Sequence, residues 1–365
     1  MKKLLFAASN MEVGGIETAL LTLLNYLADK QYDITLVLEK RQGVFLDKLD
    51  KSIKIIEYTP SNCKNVFVRK IVNFLKRINF MLKYKGKFDF SASFATYSKP
   101  ASFVARVASN NNVLWGHADY LELFRNNIQD MKNFFDSLQI DKFKKIVFVS
   151  KKACKSFEKI YPEMKNKVIY CNNLIDYEKI LNLSKENIEE IGQSKEKKHT
   201  YTFVNVGRHD ERQKQLTRII EASRKLKKDN LNFQVLFIGE GKDTKTYKDL
   251  VQKYQLEKEI QFLGQKENPY PYMNLADAII LTSDYEGYPV VFLETMILNK
   301  PIITTDVSDA IEDINNKFGQ VIKKDENEIY KIMKKFIQNG YEIKQKFNPS
   351  EYNKKIIKKL EQILE

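Results

Sequence analysis

The chain is poor in the residues that build metal and disulfide sites, with three cysteines and three histidines in 365 residues. Cys63, Cys154 and Cys171 are far apart and form no Cys-x-x-Cys pair, which argues against a disulfide framework or a structural zinc site. No apolar run reaches the ~18 residues that a membrane-spanning helix needs. The 13 glycines and 8 prolines are too few for a collagen-like chain, and a hydrophobic content of 43% excludes a disordered one. We expect a soluble protein of a reducing compartment.

The length predicts two domains, because one domain usually takes roughly 100–200 residues. Residues 1–8 resemble the start of a signal peptide. The apolar stretch nevertheless ends at Ser9, and the acidic Glu12 follows where a signal peptide would stay apolar. We therefore expect residues 3–8 to form a buried strand and the protein to be cytoplasmic.

Short apolar runs alternate with longer amphipathic stretches along the whole chain. Short apolar strands separated by helices predict parallel sheets with helices on both faces. The rhythm occurs twice, so the predicted fold class is α/β with two doubly wound domains. The predicted strands cover residues 3–8, 34–38, 53–57, 88–95, 112–115 and 145–149 in the first half, and 202–206, 233–239, 260–263, 278–282 and 302–305 in the second.

The predicted domains span residues 1–183 and 201–347. Between them, residues 184–200 are highly charged and poor in large apolar side chains, which is typical of a linker. Residues 348–365 have the apolar spacing of a final amphipathic helix.

Positive charge is concentrated in the first half of the chain. Residues 1–180 contain 30 Lys and Arg against 18 Asp and Glu, a net charge of +12, whereas residues 181–365 contain 31 against 29, a net charge of +2. Residues 64–87 contain eight basic residues and no acidic one, with apolar residues at helical spacing. This basic amphipathic helix could be a solvated surface helix, a site for anionic lipid or a site for nucleic acid; no nucleic-acid motif accompanies it. The candidate membrane-surface residues are Arg69, Lys70, Lys76, Arg77 and Lys83.

The loop after the first predicted strand contains the pair Gly14-Gly15. Paired glycines let the backbone approach a ligand, and the helix that follows offers free N–H groups at its positive end. The loop is not a Gly-x-Gly-x-x-Gly dinucleotide fingerprint, and a plain tight turn remains an alternative explanation.

A second such loop follows the first strand of the second domain. It carries Arg208 and Lys214, which are six residues apart between a strand and a helix. Both could bind one phosphate, Arg as a bidentate fork and Lys as a point charge, or both could be solvated cations. Residues 239–241, Gly-Glu-Gly, form a similar loop after another strong strand.

Two carboxylates stand out after the strand at 278–282. Glu286 lies in the loop, and Glu294 lies eight positions later in a helix that should begin near Pro289. Carboxylates that face sugar hydroxyls form strong charge-assisted hydrogen bonds, so the two could bind different hydroxyl-bearing parts of one extended ligand.

These residues resemble the motifs of family 4 glycosyltransferases with the GT-B fold, and the resemblance covers almost the whole chain. GT-B implies two Rossmann-like domains that face a central cleft, with the final helix returning to the first domain. The chain departs from the family pattern at Gln215, where Gly or Asn is commoner, and at His209. The matching motifs are Gly14-Gly15 with Glu17, the His117 loop Trp115–Asp119, Asn173-Leu174-Ile175-Asp176, Gly207-Arg208 with Lys214, Phe262-Leu263-Gly264, and Glu286-Gly287-Tyr288-Pro289 through Glu294.

The resemblance implies a retaining transfer of a sugar from a nucleotide-diphosphate donor to a hydroxyl of a glycan or polyprenyl-linked acceptor in bacterial surface-polysaccharide assembly. No two Asp residues are separated by one position, so the Asp-x-Asp metal site of the other common transferase fold is absent from the sequence. We expect no metal or other cofactor. Arg208, Lys214, the Gly15 backbone and the helix N-terminus after Tyr288 would then neutralise the diphosphate.

The resemblance also implies roles for single residues. Glu294 would bind the ribose, and Glu286 would bind the donor sugar and act as a catalytic residue. His117 would have a catalytic or sugar-positioning role on the acceptor side, although a structural histidine beside Trp115 is an alternative. The remaining expected residues are Gly287, Tyr288, Pro289 and Val290 for the sugar or distal phosphate, Gly264, Gln265 and Lys266 for the base, and Gly14 and Glu17 for the acceptor.

A nucleotide sugar, a lipid-linked or glycan acceptor and an anionic membrane surface are the expected partners, and nucleic acid is not. The protein is then expected at the cytoplasmic leaflet as a peripheral protein. Two alternatives remain, a nucleotide-sugar epimerase of the same fold and an inactive membrane-associated scaffold.

Overall fold

A computed structural model describes residues 1–188, 200–309 and 311–365. The chain divides into two compact units. Unit 1 contains Met1–Leu174 and Asn353–Glu365, and unit 2 contains Ile175–Tyr352.

Unit 1 is built on a parallel sheet of seven strands in the order β3-β2-β1-β4-β5-β6-β7. The central strand β1 is buried in all but its first residue, as expected for a strand covered on both faces. It pairs with β2 on one side and β4 on the other. The strands are β1 (Lys3–Ala8), β2 (Asp33–Leu38), β3 (Lys54–Glu57), β4 (Phe90–Ser93), β5 (Asn112–Gly116), β6 (Lys145–Phe148) and β7 (Val168–Tyr170).

The helices of unit 1 pack apolar side chains against this sheet. Leu5 of β1 and Val104 lie in one buried cluster, and Leu114 and Phe135 lie in another. The helices are α1 (Gly15–Asp29), α2 (Val66–Tyr84), α3 (Lys99–Ala108), α4 (Tyr120–Leu123), α5 (Ile128–Ser137) and α6 (Lys151–Ile160).

Unit 2 repeats the arrangement with six parallel strands in the order β10-β9-β8-β11-β12-β13. Its core includes Phe203 of β8 and Phe237 of β9, neither of which is exposed. The strands are β8 (Tyr201–Val206), β9 (Phe233–Ile238), β10 (Ile260–Phe262), β11 (Ala278–Leu281), β12 (Ile302–Thr305) and β13 (Gly319–Ile322). The helices are α7 (Tyr177–Leu183), α8 (Glu211–Lys214), α9 (Leu216–Lys228), α10 (Thr244–Lys253), α11 (Tyr270–Leu275), α12 (Val290–Ile297), α13 (Ile311–Ile314) and α14 (Glu326–Asn339), and α15 (Pro349–Leu364) follows them.

The structure confirms an α/β fold with two parallel, Rossmann-like sheets and places a strand at each predicted position. The sequence prediction missed β7 and β13. Both are short strands at a sheet edge, each with a single strand partner. Their side chains are mostly half-buried, so they lack the continuous apolar run that marks a central strand.

The division between the units lies at Leu174, not at the predicted residue 183. Helix α7 belongs to unit 2, where the side-chain amide of Asn268 donates to the Leu183 carbonyl at 3.1 Å and that of Asn274 to the Ser184 carbonyl at 3.4 Å. Of the predicted linker 184–200, residues 189–199 lie outside the described residues.

The C-terminal helix returns to unit 1, as expected. Residues 353–365, which include most of α15, belong to that unit. Lys145 Nζ donates to the carbonyls of Gln362 and Ile363 at 2.9 and 3.0 Å, and Asn111 Nδ2 donates to that of Leu364 at 3.3 Å. These cationic and amide donors satisfy carbonyls that the last helical turn leaves free.

Candidate functional site

The strand order of unit 2 reverses between β8 and β11. In open parallel sheets, ligands bind beyond the carboxyl ends of the strands at such a switch point. The loop after β8 begins at Gly207, and the loop after β11 covers residues 282–289. The side chains that these two loops bring together therefore form the candidate site in this unit.

Lys214, the last residue of the short helix α8, forms an ion pair with Glu286 in the loop after β11. Lys214 Nζ lies 2.5 Å from Glu286 Oε1, and the side chains are 17% and 10% exposed. Ser283 Oγ donates to the same carboxylate oxygen at 2.8 Å, and Gln213 Nε2 donates to the other at 3.3 Å. The carboxylate is thus held in place by three donors. The lysine is held at the switch point, where its other N–H donors can meet an anion.

Arg208 is exposed and lies in the loop between β8 and α8. Its Nη2 donates to Gln213 Oε1 at 3.4 Å, and Gln213 also contacts Glu286. Gln213 thus connects the predicted residues Arg208 and Glu286. Gln213 was not among the predicted site residues, and its only signal in the sequence was a position between two motif cations.

The loops after β8 and β9 approach each other closely at two glycines. Gly239 has φ +138°, and a Cβ there would lie 2.0 Å from the Gly207 carbonyl oxygen. A Cβ at Gly241 would lie 2.3 Å from the His209 carbonyl oxygen. Main-chain hydrogen bonds from Gly207 to Ile238 at 3.0 Å and from His209 to the Glu240 carbonyl at 2.9 Å join the loops. Only glycine permits this approach.

We expect Gly239→Ala to lower the free energy of unfolding by about 2 kcal/mol or more, because the new Cβ meets backbone at a disfavoured φ. Urea unfolding followed by circular dichroism measures the change. Gly15→Ala is the control, because a Cβ at Gly15 would meet no atom within 4 Å. Equal stability of Gly239→Ala and the wild type would contradict the close approach of the two loops.

His209 explains one departure from the family pattern. Its side chain is fully buried, and Nδ1 lies 2.9 Å from Thr244 Oγ1, whereas Nε2 has no partner among the described residues. Burial lowers the pKa of His209, so the ring is neutral. It therefore ties α10 to the loop after β8 and adds no positive charge to the site. Gln215, the other departure, adopts φ +52°, a conformation that glycine or asparagine reaches more easily.

Glu294 lies in the second turn of α12 and is 6% exposed. Burial raises its pKa to about 7, and the hydroxyl of Tyr270, which donates to Glu294 Oε1 at 3.1 Å, opposes that rise. A carboxyl group with this raised pKa ionises more readily when hydroxyl groups donate hydrogen bonds to it.

The loop before α12 carries the predicted residues Gly287, Tyr288 and Pro289, and the helix itself begins at Val290. Tyr288 and Val290 are 6% and 9% exposed, and the Tyr288 hydroxyl donates to Asp313 Oδ2 at 3.3 Å. The first N–H groups of a helix have no acceptor within it and lie at its positive end, so this terminus suits an anion.

The three residues predicted for the base follow β10. Gly264 has φ +71°, and its carbonyl accepts the Gly239 N–H at 2.9 Å. Gln265 is exposed, and Lys266 Nζ lies 5.8 Å from the centre of the Tyr272 ring. Gly264 thus joins the loop after β10 to the loop after β9.

In unit 1 the strand order also reverses at one point, between β1 and β4. Gly14 precedes α1, and a Cβ there would lie 2.3 Å from Glu17 Oε2. Glu17 Oε1 accepts from the Tyr97 hydroxyl at 3.4 Å, and partial burial of the half-exposed Tyr97 side chain together with the Glu17 charge raises the pKa of Tyr97. Tyr97 comes after β4 and was not among the predicted site residues.

His117 follows β5 and packs on Phe94, with the ring centres 4.5 Å apart. Burial lowers the pKa of His117 to about 3, although a hydrogen bond to the Phe94 main chain opposes the change. Its Nε2 is buried without a hydrogen-bond partner in the described part of the chain. The ring is therefore neutral, which excludes it as a proton donor near pH 7 and leaves it suited to hydrogen bonding.

The five predicted membrane-surface residues lie on α2. Four of them are exposed: Lys70, Lys76, Arg77 and Lys83. Lys76 donates to the Thr59 carbonyl at 2.7 Å, and the Arg77 guanidinium lies 5.4 Å from the centre of the Phe103 ring. The fifth residue, Arg69, is half-buried. No helix within the described residues is both long and apolar enough to span a membrane.

Comparisons with known proteins show similarity to glycosyltransferases. The model of the family "Glycosyl transferases group 1" matches residues 184–362. An uncharacterized glycosyltransferase of Methanocaldococcus jannaschii is 24% identical over 56% of this chain, and the match spans about half (51%) of that protein. An N-acetylgalactosamine-N,N'-diacetylbacillosaminyl-diphospho-undecaprenol 4-alpha-N-acetylgalactosaminyltransferase of Campylobacter jejuni is 25% identical over 91% of this chain and 89% of its own.

Among solved structures, Anabaena HepE in complex with UDP and glucose superimposes with a TM-score of 0.78. The two sequences are 16% identical, and the superposition covers 99% of this chain and 100% of the HepE chain. At that identity the likeness concerns the fold, which is the GT-B fold. The sequence resemblance is confirmed, since residues 184–362 match the family model of the group 1 glycosyltransferases.

Proposed function

We propose that the protein is a retaining glycosyltransferase of bacterial surface-polysaccharide assembly. It moves a sugar from a nucleotide-diphosphate donor, a UDP-hexose or UDP-N-acetylhexosamine, to a hydroxyl of a glycan or polyprenyl-linked acceptor. The observation that carries this proposal is the pair of cations at the switch point of unit 2, where Lys214 is held by Glu286 and Arg208 is exposed in the loop between β8 and α8.

The comparisons support the classes of donor and acceptor. HepE was crystallised with UDP and glucose. The name of the Campylobacter relative specifies transfer to a sugar on diphospho-undecaprenol. Glu294 suits the ribose of such a donor. Its buried carboxyl group accepts a hydrogen bond from Tyr270, and the remaining lone pairs of its oxygens can accept hydrogen bonds from ribose hydroxyls.

The chemical demand is that the leaving diphosphate gains negative charge as the glycosidic bond breaks. Removal of one well-placed stabiliser of such charge costs about 3 kcal/mol in the barrier. Lys214, Arg208 and the first N–H groups of α12 supply positive potential, so the proposed reaction needs no metal ion. The described residues hold no group of three His, Cys, Asp or Glu side chains placed to bind one.

Retention is proposed to proceed by front-face attack assisted by the leaving phosphate. A double displacement needs a free carboxylate nucleophile next to the sugar. The Glu286 carboxylate is instead bound by Lys214, Ser283 and Gln213, which lowers its nucleophilicity and supports a role in holding the donor sugar and the lysine.

His117 is proposed to position a sugar hydroxyl, because its neutral ring has a nitrogen without a partner. We expect His117→Ala to slow transfer by about 10- to 100-fold while the affinity for UDP stays unchanged, since one hydrogen bond is worth about 1–3 kcal/mol when a buried group is left without it. Steady-state kinetics with a UDP-sugar, together with calorimetric titration of UDP, measures the two effects. Equal loss of UDP affinity and turnover would contradict the role.

The donor proposal is tested by thermal unfolding with UDP, GDP and dTDP. We expect UDP to raise the melting temperature by several degrees, because a ligand at 100 times its Kd stabilises the native state by about 2.7 kcal/mol. Glu294→Ala should abolish the shift. If none of the three nucleotides changes the melting temperature of the wild type, the proposed function is wrong.

We also propose that the protein works as a peripheral protein at the cytoplasmic leaflet. The net charge of +12 in residues 1–180 supports attraction to anionic lipid, where each basic residue near the surface contributes about 1 kcal/mol.

A further inference from the structure

Helix α2 carries a row of apolar side chains that its own unit does not cover. We call Phe67, Ile71, Phe74, Leu75 and Leu82 the apolar stripe; their exposures are 73%, 45%, 62%, 57% and 77%. Their spacing places them along one side of the helix. An amphipathic helix on a globular protein normally buries its apolar side against the core. The apolar stripe of α2 is instead exposed.

The opposite side of α2 attaches the helix to unit 1. Phe80 is 4% exposed, and its ring centre lies 5.2 Å from that of Tyr58 and 6.0 Å from that of Phe103. Asn73 Oδ1 accepts the Ser61 N–H at 2.6 Å. The helix is therefore fixed by one side, and the stripe on the other side is presented to the surroundings as a fixed surface.

The charges around the stripe indicate what covers it. Lys70 lies three residues from Phe67 and four from Phe74, at one border, and Lys83 directly follows Leu82. Residues 64–87 contain no acidic residue. A second copy of α2 would bring like charges together, whereas an anionic bilayer offers negative headgroups above apolar chains.

We propose that the apolar stripe of α2 inserts into the boundary between headgroups and acyl chains of an anionic lipid bilayer, with Lys70 and Lys83 at the level of the headgroups. The sequence alone suggested only that basic residues lie on the surface of the lipid. The inference deepens and rests on the membrane-surface position proposed above, but it needs nothing from the donor site in unit 2.

The test is flotation of the full chain with vesicles of phosphatidylcholine and phosphatidylglycerol. We expect the wild type to float. Phe67→Gln/Phe74→Gln should bind the vesicles at least about tenfold more weakly, because two exposed aromatic rings no longer move out of water on binding. The matched control is Ile128→Gln/Leu275→Gln, which changes two side chains outside α2 that are 47% and 45% exposed. The control should float like the wild type.

A spectroscopic readout locates the stripe in the lipid. The single natural tryptophan, Trp115, is 3% exposed and gives a constant background. The tryptophan introduced by Phe74→Trp should shift its emission to shorter wavelength when vesicles are added, and lipids with brominated acyl chains should quench it. Unchanged emission in vesicle-bound protein would overturn the insertion.

Three further results separate the explanations. Wild-type binding by Phe67→Gln/Phe74→Gln, combined with its loss in Lys70→Glu/Lys83→Glu, would show attraction by charge alone and overturn the proposal. A wild-type dimer in sedimentation that Phe67→Gln/Phe74→Gln converts to a monomer, without vesicle binding, would assign the stripe to a second copy and also overturn it.

A thermal shift with UDP is measured on every variant: flotation without that shift refutes the donor site only, and the shift without flotation refutes the insertion only.

Discussion

Lys214→Met is expected to lower the rate of sugar transfer by about 10²–10³-fold, which corresponds to the ~3 kcal/mol that one preorganised charge contributes to stabilising a departing anion. Methionine keeps most of the length of the side chain but removes the charge that Glu286 holds at the switch point. Initial rates at saturating donor and acceptor measure the effect. Lys331→Met is the control, because Lys331 is a 67% exposed cation on α14 that is paired with Glu328. This variant should transfer sugar at the wild-type rate.

The same change has a structural cost that must be separated from catalysis. Glu286, with a side chain only 10% exposed, would keep its donors Ser283 and Gln213 but lose its cation, at a cost of about 1–3 kcal/mol in stability. Lys214→Met/Glu286→Gln removes both charges and should recover most of that stability. We expect transfer by the double variant to stay as slow as that by Lys214→Met. Recovery to the rate of Glu286→Gln alone would mean that Lys214 only neutralises Glu286.

The affinity for UDP is expected to rise as the pH increases from 6 to 8, and Glu294→Gln should remove this dependence. The pKa of Glu294 is about 7 in the protein without ligand, so the carboxyl group is protonated below that pH. Ribose hydroxyls donate to the ionised form and therefore lower its pKa, and nucleotide binding then releases a proton. Below pH 7 the affinity should fall by up to about tenfold per pH unit. Calorimetric titration in buffers of different ionisation enthalpy counts the released protons.

The stability of the protein should show the opposite trend. Between the unfolded value of 4.5 and the folded value of about 7, the folded state binds more protons at Glu294 than the unfolded state does, so its contribution to stability falls as the pH rises through this window. Glu294→Gln should flatten that fall. Tyr270→Phe removes the donor that favours the ionised carboxylate, so the midpoint of UDP affinity should move to higher pH. If the wild type, Glu294→Gln and Tyr270→Phe had identical pH profiles of UDP affinity, the assignment of Glu294 to the ribose would be contradicted.

The central strands and the positions of the motif loops were predictable because both depend on short-range patterns. A buried parallel strand is a continuous apolar run, as in β1 and β9, and its carboxyl end leads directly to the loop that carries the chemistry. The start of α12 was placed near Pro289 for a similar local reason. The edge strands β7 and β13 lack that pattern, and they were missed.

The contacts that complete the site depend on distances along the chain that no local pattern reports. Lys214 and Glu286 are 72 positions apart, and their sequence motifs predicted a separate ligand group for each but not the ion pair between them. Arg218, whose Nη2 lies 2.7 Å from Asp284 Oδ1, holds the same loop and was not singled out. The periodicity of α2 revealed an apolar side but could not tell whether that side is covered, because burial depends on the rest of the unit.

The return of α15 to unit 1 has a consequence for how the protein is made. Unit 1 is interrupted in the sequence, since residues 353–365 complete what residues 1–174 begin, whereas unit 2 is one continuous segment. Unit 1 therefore cannot be completed until residues 353–365 have been made, although most of its sequence precedes unit 2. Until α15 packs on it, Lys145 and Asn111 lack the carbonyl partners that this helix brings.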